Sequence, residues 1–128
     1  MIVVDTSAAC AILFGEPDRA LFEDILSDDD CFMPVSCLVE TAIAWRHRGR
    51  GRDVVEGLIA ALGLTLLPSD AVQARLAVEA DRRYGRGTGH PARLNFGDCL
   101  AYAAAVAHDA PLLFKGDDFG HTDVKRAA

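Results

Sequence analysis

Short apolar runs alternate along this chain with longer segments in which apolar residues recur every three or four positions. The apolar runs occupy residues 2–4, 31–33, 64–67 and 111–114. The first and the last run contain no polar position, which is typical of parallel strands buried on both faces. The pattern therefore predicts four β-strands, each closed by polar or turn-forming residues.

The segments between the apolar runs predict helices. The predicted helices span residues 8–14, 18–26, 36–45, 54–62, 69–84 and 96–108. Ser36 and Asn95 stand where helix N-caps are expected, because such side chains accept hydrogen bonds from free backbone N–H groups. Strands that alternate with helical connections favour a parallel sheet with right-handed crossovers. We therefore predict an α/β fold, a three-layer α/β/α sandwich around a small central parallel sheet, in one domain over residues 1–128.

Length and composition narrow the class of protein. The 128 residues suit one domain, and 51% hydrophobic with 25% charged residues excludes a disordered or fibrous chain. A net charge of −6 gives no reason to expect that the molecule as a whole binds nucleic acid. The four cysteines form no C-x-x-C pair, and no segment resembles a signal peptide or a membrane span. We therefore expect a reduced, soluble, cytoplasmic protein.

Acidic residues follow the predicted strands or open the predicted helices. Asp5 comes directly after the first strand, and Asp117 and Asp118 follow the last strand. Glu40 and Asp98 fall in the predicted first turns of the third and the last helix. In an open parallel sheet, functional sites form at the carboxyl ends of the strands. We therefore expect these carboxylates to meet at one edge of the sheet.

Converging carboxylates point to a metal-dependent reaction. Like charges repel unless a cation compensates them, and Mg²⁺ or Mn²⁺ suits a set of oxygen ligands. Such a site favours metal-assisted hydrolysis of a phosphodiester, and no Cys or Ser nucleophile paired with a His is evident. Glu40 and Asp98 also have a purely structural interpretation, because helix N-termini favour acidic residues and Asn95 with Asp98 resembles a capping box. Residues 28–30 form an acidic run that we expect to be solvated.

Arginines are concentrated in two places. The two clusters are Arg46, Arg48, Arg50 and Arg52 at a predicted helix end, and Arg82, Arg83, Arg86 and Arg93 around the glycine-rich segment 85–91. Guanidinium groups bind phosphates through two hydrogen bonds at once, so either cluster could hold a polyanion. The histidines share no spacing, and we predict that they are surface or packing residues. We predict that Trp45 and the phenylalanines belong to the core.

Four segments together resemble the PIN-domain proteins. They are Ile-Val-Val-Asp-Thr-Ser at residues 2–7, Ser-Cys-Leu-Val-Glu-Thr-Ala at 36–42, Leu-Asn-Phe-Gly-Asp-Cys at 94–99 and Pro-Leu-Leu-Phe-Lys-Gly-Asp-Asp-Phe at 111–119. The resemblance covers essentially the whole chain. Its nearest group is the VapC toxins of bacterial toxin–antitoxin modules.

The resemblance implies a function and a set of site residues. It implies a Mg²⁺- or Mn²⁺-dependent endoribonuclease that cuts tRNA or rRNA, inhibits translation and growth, and is blocked by a cognate antitoxin. It also implies a homodimer, and a heterotetramer or larger assembly with the antitoxin. By position, Asp5 and Asp98 would be the metal ligands, Glu40 would orient or activate the attacking water, and Thr6 would support the site. The fourth acid would be Asp117, which is nearer the strand end than Asp118.

Other families fit the residues less well. A haloacid-dehalogenase-like phosphatase needs a second Asp two residues after the first, where this chain has Ser7. A phosphoacceptor receiver domain needs paired acids at the first strand and an Asp at the end of a middle strand, where Leu67 and Pro68 stand. The alternative function is a PIN fold that binds RNA or a partner and does not cleave.

Overall fold

The computed structural model describes residues 1–49, 51 and 53–128, and it confirms the predicted alternation of strands and helices. Its strands are β1 (Ile2–Val4), β2 (Cys31–Pro34), β3 (Thr65–Leu67) and β4 (Leu112–Leu113). Its helices are α1 (Thr6–Leu13), α2 (Arg19–Ser27), α3 (Val35–His47), α4 (Asp53–Leu62), α5 (Ala71–Tyr84) and α6 (Phe96–Ala107). A 3₁₀-helix, Asp118–His121, follows β4. Arg50 and Arg52, two members of the first arginine cluster, lie outside the described residues.

The four strands form one parallel sheet in the order β3-β2-β1-β4. Val3 of β1 pairs with Phe32 on one side and Leu112 on the other. The chain builds the sheet outward from β1 through β2 to β3 and then returns to place β4 on the opposite side of β1. Strand order therefore reverses between β1 and β4, which is where open α/β sheets form their binding crevice. Asp5 directly follows β1 and therefore lies at this crevice.

The helices cover the sheet and complete the predicted three-layer α/β/α sandwich. Helices α1 to α4 contact one another, and α5 packs along α6. Helix α6 also touches β1, β2 and α3. The side chains that let α6 approach so closely are small and fully buried: Ala101, Ala103, Ala104 and Ala105. Strands β1 and β4 are buried as predicted, whereas β3 is a largely exposed edge strand.

Two helices begin earlier than the sequence pattern predicts. Helix α1 begins at Thr6, directly after Asp5, which caps it. Helix α3 begins at Val35, and Pro34 occupies the N-cap position, so the prediction of Ser36 as the cap is wrong. Pro34 ends β2, and its fixed φ leads straight into a helix without an intervening loop. Glu40 consequently lies in the second turn of α3 and not in the first.

The C-terminal segment, which looks polar in sequence, packs beside β4. The backbone N–H of Leu112 donates to the carbonyl of Lys125 at 2.8 Å, and the N–H of Ala127 donates to the carbonyl of Leu112 at 3.0 Å. Phe119 is buried against Phe114, with ring centroids 5.2 Å apart. The tail thereby holds the segment 115–118 near the end of β1. Across the described part of the chain, none of the helices has the length and apolar character needed to cross a membrane.

Candidate active site

Asp5 is a buried carboxylate held in place from two directions. Its side chain is 4% exposed, and its Oδ2 accepts hydrogen bonds from the backbone N–H of Ser7 at 2.9 Å and from the Ser7 hydroxyl at 2.5 Å. The Ser7 Oγ in turn accepts from the backbone N–H of Lys115 at 2.9 Å. The Cys37 thiol lies 3.9 Å from Asp5 Oδ1. Ser7 therefore ties the carboxylate at the end of β1 to the chain that leaves β4.

Glu40 is directed toward the same edge from α3. Its Oε1 accepts a hydrogen bond from the Thr6 hydroxyl at 2.9 Å. The carboxylate rests against Gly97, where a Cβ would stand 2.6 Å from the Glu40 Cδ. A glycine is therefore required at residue 97 for this carboxylate to pack between α1 and α6. The predicted supporting residue Thr6 contacts Glu40, whereas Ser7 holds Asp5.

Asp98 is both a capping residue and a member of the acidic group. Its backbone N–H donates to Asn95 Oδ1 at 2.8 Å, and its Oδ2 accepts from the Asn95 backbone N–H at 3.0 Å. This is the capping box predicted from the sequence. The reciprocal bonds use one carboxylate oxygen and fix the side chain in the first turn of α6. Asp98 therefore caps α6 as predicted, and its second carboxylate oxygen takes no part in the capping box.

The three carboxylates interact electrostatically. Burial is the main reason that the pKa values of Asp5, Glu40 and Asp98 are all raised. The charge of Glu40 raises the pKa of Asp5 further, that of Asp98 raises the pKa of Glu40, and that of Asp5 raises the pKa of Asp98. Hydrogen bonds from Ser7 and Thr6 oppose the shifts at Asp5 and Glu40. The three carboxylates therefore lie close enough to repel one another, as expected of acids that meet at one edge of the sheet.

The segment after β4 carries the two candidates for the fourth acid, Asp117 and Asp118. The negative charge of Asp118 raises the pKa of Asp98. Asp117 stands at the N-cap of the 3₁₀-helix, and Asp118 begins that helix. Both residues are exposed. The preference for Asp117 therefore stays a prediction, and Asp118 is the neighbouring candidate whose charge acts on Asp98.

The donor set fits a small, hard divalent cation. Among the described residues, no three His, Cys, Asp or Glu side chains converge closely enough to enclose an ion by themselves. Mg²⁺ commonly binds through one or two carboxylates together with waters and substrate phosphates, so a complete protein cage is not required. Burial and mutual repulsion disfavour the ionised carboxylates, and a bound cation would offset both effects. Asp5 and Asp98 supply oxygen ligands of the kind such a cation prefers.

The two arginine clusters lie differently with respect to the acids. Arg86 of the second cluster is near enough to Asp98 for its positive charge to lower the pKa of that carboxyl. Arg46 is in the last turn of α3, nearly two turns beyond Glu40. Arg48 lies over the Phe14 ring, 4.1 Å from its centroid. Arg86 is therefore the member of the two clusters whose charge acts on Asp98 among the described residues.

Two residues near the acids have roles that the sequence pattern does not indicate. Ser7 binds Asp5 in a local arrangement, because an Asp side chain often accepts a hydrogen bond from the N–H two residues later. The prediction that Phe96 belongs to the core is wrong, because its side chain is 83% exposed. Helix α6 is buried on nearly every side, and its first residue projects beyond the packed layers. Trp45 is buried as predicted.

Comparison with known proteins agrees with this geometry. The sequence model of the PIN domain family matches residues 2–125. Ribonuclease VapC42 of Mycobacterium tuberculosis is 42% identical over 129 residues, covering 98% of each chain. Ribonuclease VapC of Mycolicibacterium smegmatis is 45% identical over 127 residues, covering 96% of this chain and 97% of the relative.

Solved structures share the fold at lower identity. Mycobacterium tuberculosis VapC20, described as a Sarcin-Ricin loop cleaving toxin, has a TM-score of 0.74 at 19% identity and covers 97% of this chain and 96% of its own. FitAcB of Neisseria gonorrhoeae has a TM-score of 0.70 at 19% identity, with coverage of 98% and 96%. The predicted family and fold are confirmed: the chain belongs to the PIN domain family, among relatives named VapC ribonucleases.

Proposed function

We propose that this protein is a metal-dependent endoribonuclease and the toxin of a toxin–antitoxin module, inhibiting translation and growth by hydrolysing phosphodiester bonds in cellular RNA. The observation that carries the proposal is the convergence of Asp5, Glu40 and Asp98 from three elements at the strand-order reversal of the sheet. Relatives that are 42–45% identical over nearly the whole chain are named ribonucleases. Its substrate is cytoplasmic RNA, so we place its activity in the cytoplasm.

The roles of the acids follow from their surroundings. Asp5 and Asp98 would hold Mg²⁺ or Mn²⁺, which when bound supplies a more acidic water and positive charge opposite the phosphate oxygens. Glu40 is half-buried with a raised pKa, and it is positioned to orient the attacking water and accept its proton. Thr6 and Ser7 keep Glu40 and Asp5 in fixed orientations. Asp117 or its neighbour Asp118 adds the fourth negative charge.

We propose that a cognate antitoxin controls access to this site. A groove lies between α3 and α4, lined by Leu38, Val39, Ala42 and Ile43 and bordered by Arg46, Asp53 and Glu56. Val39 and Ile43 are 57% and 45% exposed, so an antitoxin segment would bury apolar surface directly beside Glu40. Solved relatives of the same fold include VapBC2 of Rickettsia felis bound to a promoter DNA fragment. We expect a homodimer, and a heterotetramer or larger assembly with the antitoxin.

The proposal is tested by cleavage of total tRNA and rRNA with the purified, antitoxin-free protein. Reactions contain Mg²⁺, Mn²⁺ or EDTA, and Asp98→Asn is compared with Asp28→Asn, which makes the same change at an exposed carboxylate of the acidic run. We expect discrete cuts that require a divalent ion, persist in Asp28→Asn and disappear in Asp98→Asn. Metal-dependent cuts that survive in Asp98→Asn, or a folded wild-type protein that cuts no RNA with either ion, would contradict it.

A further inference from the structure

We propose that Phe96 and the loop 85–94 form a binding site for one unpaired RNA nucleotide beside the acidic residues, with its base stacked on Phe96 and its phosphate held by Arg86. The inference rests on the proposed ribonuclease function and adds a requirement for single-stranded substrate next to the cut. It is carried by the exposure of Phe96, by the unpaired arginines of the loop, and by the hydrogen bonds that fix the loop.

Phe96 presents an aromatic face to solvent where the substrate must pass. Its 83% exposure is the highest among the large hydrophobic side chains of the described residues. Only Gly97 separates it from Asp98, and the Glu40 carboxylate lies against that glycine. Because the Phe96 ring is exposed, packing in the core does not account for an aromatic residue at this position. Unpaired bases stack on such rings in proteins that bind single-stranded RNA.

A shallow cleft continues from Phe96 between α5 and α6. Its walls are apolar and its volume is about 430 Å³, with Val78, Cys99 and Leu100 among the lining residues. Asp81 supplies a carboxylate at the same cleft. This volume lies in the usual range of small-ligand sites, about 300–1,000 Å³. The cleft therefore extends the apolar contact available to a base that stacks on the ring.

The loop supplies positive charge that the protein itself does not neutralise. Arg82 is bound to Glu79, and Arg83 lies 3.5 Å from Asp123 and over the Tyr84 ring. Across the described part of the chain, Arg86 and Arg93 form no ion pair. Arg86 Nε donates to the Arg93 carbonyl at 3.0 Å, which leaves its two terminal nitrogens for a phosphate.

Hydrogen bonds within the loop hold Arg86 in position. The Arg86 N–H donates to the Leu94 carbonyl at 3.0 Å, and the Leu94 N–H donates to the Tyr84 carbonyl at 2.9 Å. The Thr88 hydroxyl donates to the Gly85 carbonyl at 2.7 Å. Arg93 adopts φ of +50°, a left-handed conformation that is unfavourable for a non-glycine residue. The Arg93 carbonyl accepts the Arg86 Nε–H, and this bond restricts the orientation of the guanidinium.

Charge and geometry together select an RNA nucleotide as the occupant. The backbone N–H of Arg86 bonds to the Leu94 carbonyl, and Asp98 Oδ2 accepts from the N–H of the next residue, Asn95, so a phosphodiester bound to Arg86 would lie near Asp98. A base extending from the same nucleotide would reach the ring one residue before Gly97. Bases within a duplex stack on their neighbours and expose little of their faces, so we expect the base stacked on Phe96 to be one that the RNA leaves unpaired.

The stacking contact is tested by binding of a fluorescein-labelled, unstructured 12-nucleotide RNA in an Asp5→Asn background, which prevents cleavage. Because one stacked base contributes about 1–3 kcal/mol, Phe96→Ala should weaken affinity roughly 5- to 150-fold without changing the salt dependence. Phe96→Trp should retain affinity, and its added fluorescence should be quenched by the RNA. Leu21→Ala removes an exposed apolar side chain from α2, outside this cleft, and it should have little effect.

The phosphate contact is tested by affinity as a function of salt. Arg86→Ala should lower affinity for every RNA sequence and reduce the slope of log K against log[salt] by about 0.7, the value for one phosphate on a single strand. Arg75→Ala, an exposed arginine on α5, removes the same charge about 2.5 turns before the end of that helix and should leave the slope unchanged.

Two results would overturn the inference. One is unchanged affinity of Phe96→Ala for the single-stranded RNA in the presence of normal circular dichroism. The other is a change in the molecular mass of RNA-free Phe96→Ala with unaltered RNA binding, which would assign the ring to a contact with a second copy of the chain. Wild-type cleavage is measured in parallel, so failure of the ribonuclease proposal is seen separately from failure of this nucleotide site.

Discussion

Asp5 opposes stability in the metal-free protein, and this is the main residue-scale feature of the site. A carboxylate that is 4% exposed loses most of its hydration, and Glu40 adds like charge. Three hydrogen bonds, two from Ser7 and one from Thr6, only partly offset these effects on its pKa. Asp5 also caps α1, but the unfavourable burial of its charge is typical of residues at functional sites.

Asp5→Asn should stabilise the metal-free protein at neutral and alkaline pH. The folded-state pKa of Asp5 is raised, so the folded state binds more protons than the unfolded state between the two pKa values. The unfolding free energy of the wild type therefore falls as pH rises through that interval, and the asparagine removes this loss. Thermal melting at pH 4 and pH 8 without divalent ions should show a gain only at the higher pH. An equal gain at both values would refute the electrostatic explanation.

Ser7→Ala should impair the site while leaving the acids unchanged. The substitution removes the hydroxyl that donates to Asp5 and accepts from Lys115, so the partly buried Lys115 N–H loses its partner at a cost of about 0.5–1.5 kcal/mol. Loss of such a supporting group typically reduces metal affinity or activity about 10- to 100-fold. The pKa of Asp5 should rise further, moving the acidic limb of the activity profile to higher pH.

The matched control for Ser7 is Ser27→Ala. The Ser27 hydroxyl donates to the Asp24 carbonyl at an exposed helix end, away from the carboxylates. Activity and its pH profile should be unchanged in this variant. Identical pH profiles for Ser7→Ala and the wild type would mean that Ser7 does not position Asp5.

At the scale of elements, the positions at which the helices begin determine where the acidic side chains lie. Asp5 caps α1, and Asp98 completes the capping box of α6 with Asn95. The capping box was predictable because Asn and Asp three residues apart satisfy known backbone donors. The start of α3 was not, because Pro34 leads from β2 into the helix and the Ser36 hydroxyl is buried without a hydrogen-bond partner among the described residues. Local capping preference was overridden there by the direct strand-to-helix connection.

Gly97→Ala should separate helix stability from activity. A methyl group at residue 97 would displace the Glu40 carboxylate and break its bond with Thr6. We expect at least about a 10-fold loss of RNA cleavage, within the range for disturbing groups that orient a site. Gly57→Ala in α4 meets no neighbouring atom and should stabilise the helix by about 0.5–1 kcal/mol with normal cleavage. Cleavage rates and thermal melting of the pair distinguish the two effects, and a fully active Gly97→Ala would exclude this packing role.

At the scale of the whole molecule, the sequence predicts the layers better than their arrangement. Continuous apolar strands and amphipathic helices suffice to predict a parallel three-layer sandwich. The position of β4 beside β1 depends on long-range pairing, as between Val3 and Leu112, which periodicity does not reveal. The same limit applies to Asp117 and Asp118, because proximity to the strand in sequence does not show how the following turn directs each side chain. Hydrophobicity alone predicts that Phe96 is buried, but it is the first residue of α6 and its side chain is exposed.

A divalent ion should stabilise the fold more strongly as pH rises. The raised pKa values of Asp5, Glu40 and Asp98 mean that these groups bind protons in competition with metal at lower pH. At an ion concentration of 100 times Kd, binding adds about 2.7 kcal/mol to the unfolding free energy. Melting curves with and without Mg²⁺ from pH 5 to pH 9 should show a growing shift in the wild type. A shift that is constant with pH would place the ion elsewhere.

The most direct test of the account is Mn²⁺ binding measured by electron paramagnetic resonance on the same protein samples used for RNA cleavage. The central claim is that Asp5, Glu40 and Asp98 act as one metal-dependent catalytic site. The wild type and Asp28→Asn should bind Mn²⁺ and cut RNA over the same concentration range, whereas Asp98→Asn should lose both properties together. Undiminished Mn²⁺ binding by Asp98→Asn, or cleavage by the wild type at Mn²⁺ levels where no ion is bound, would contradict the claim.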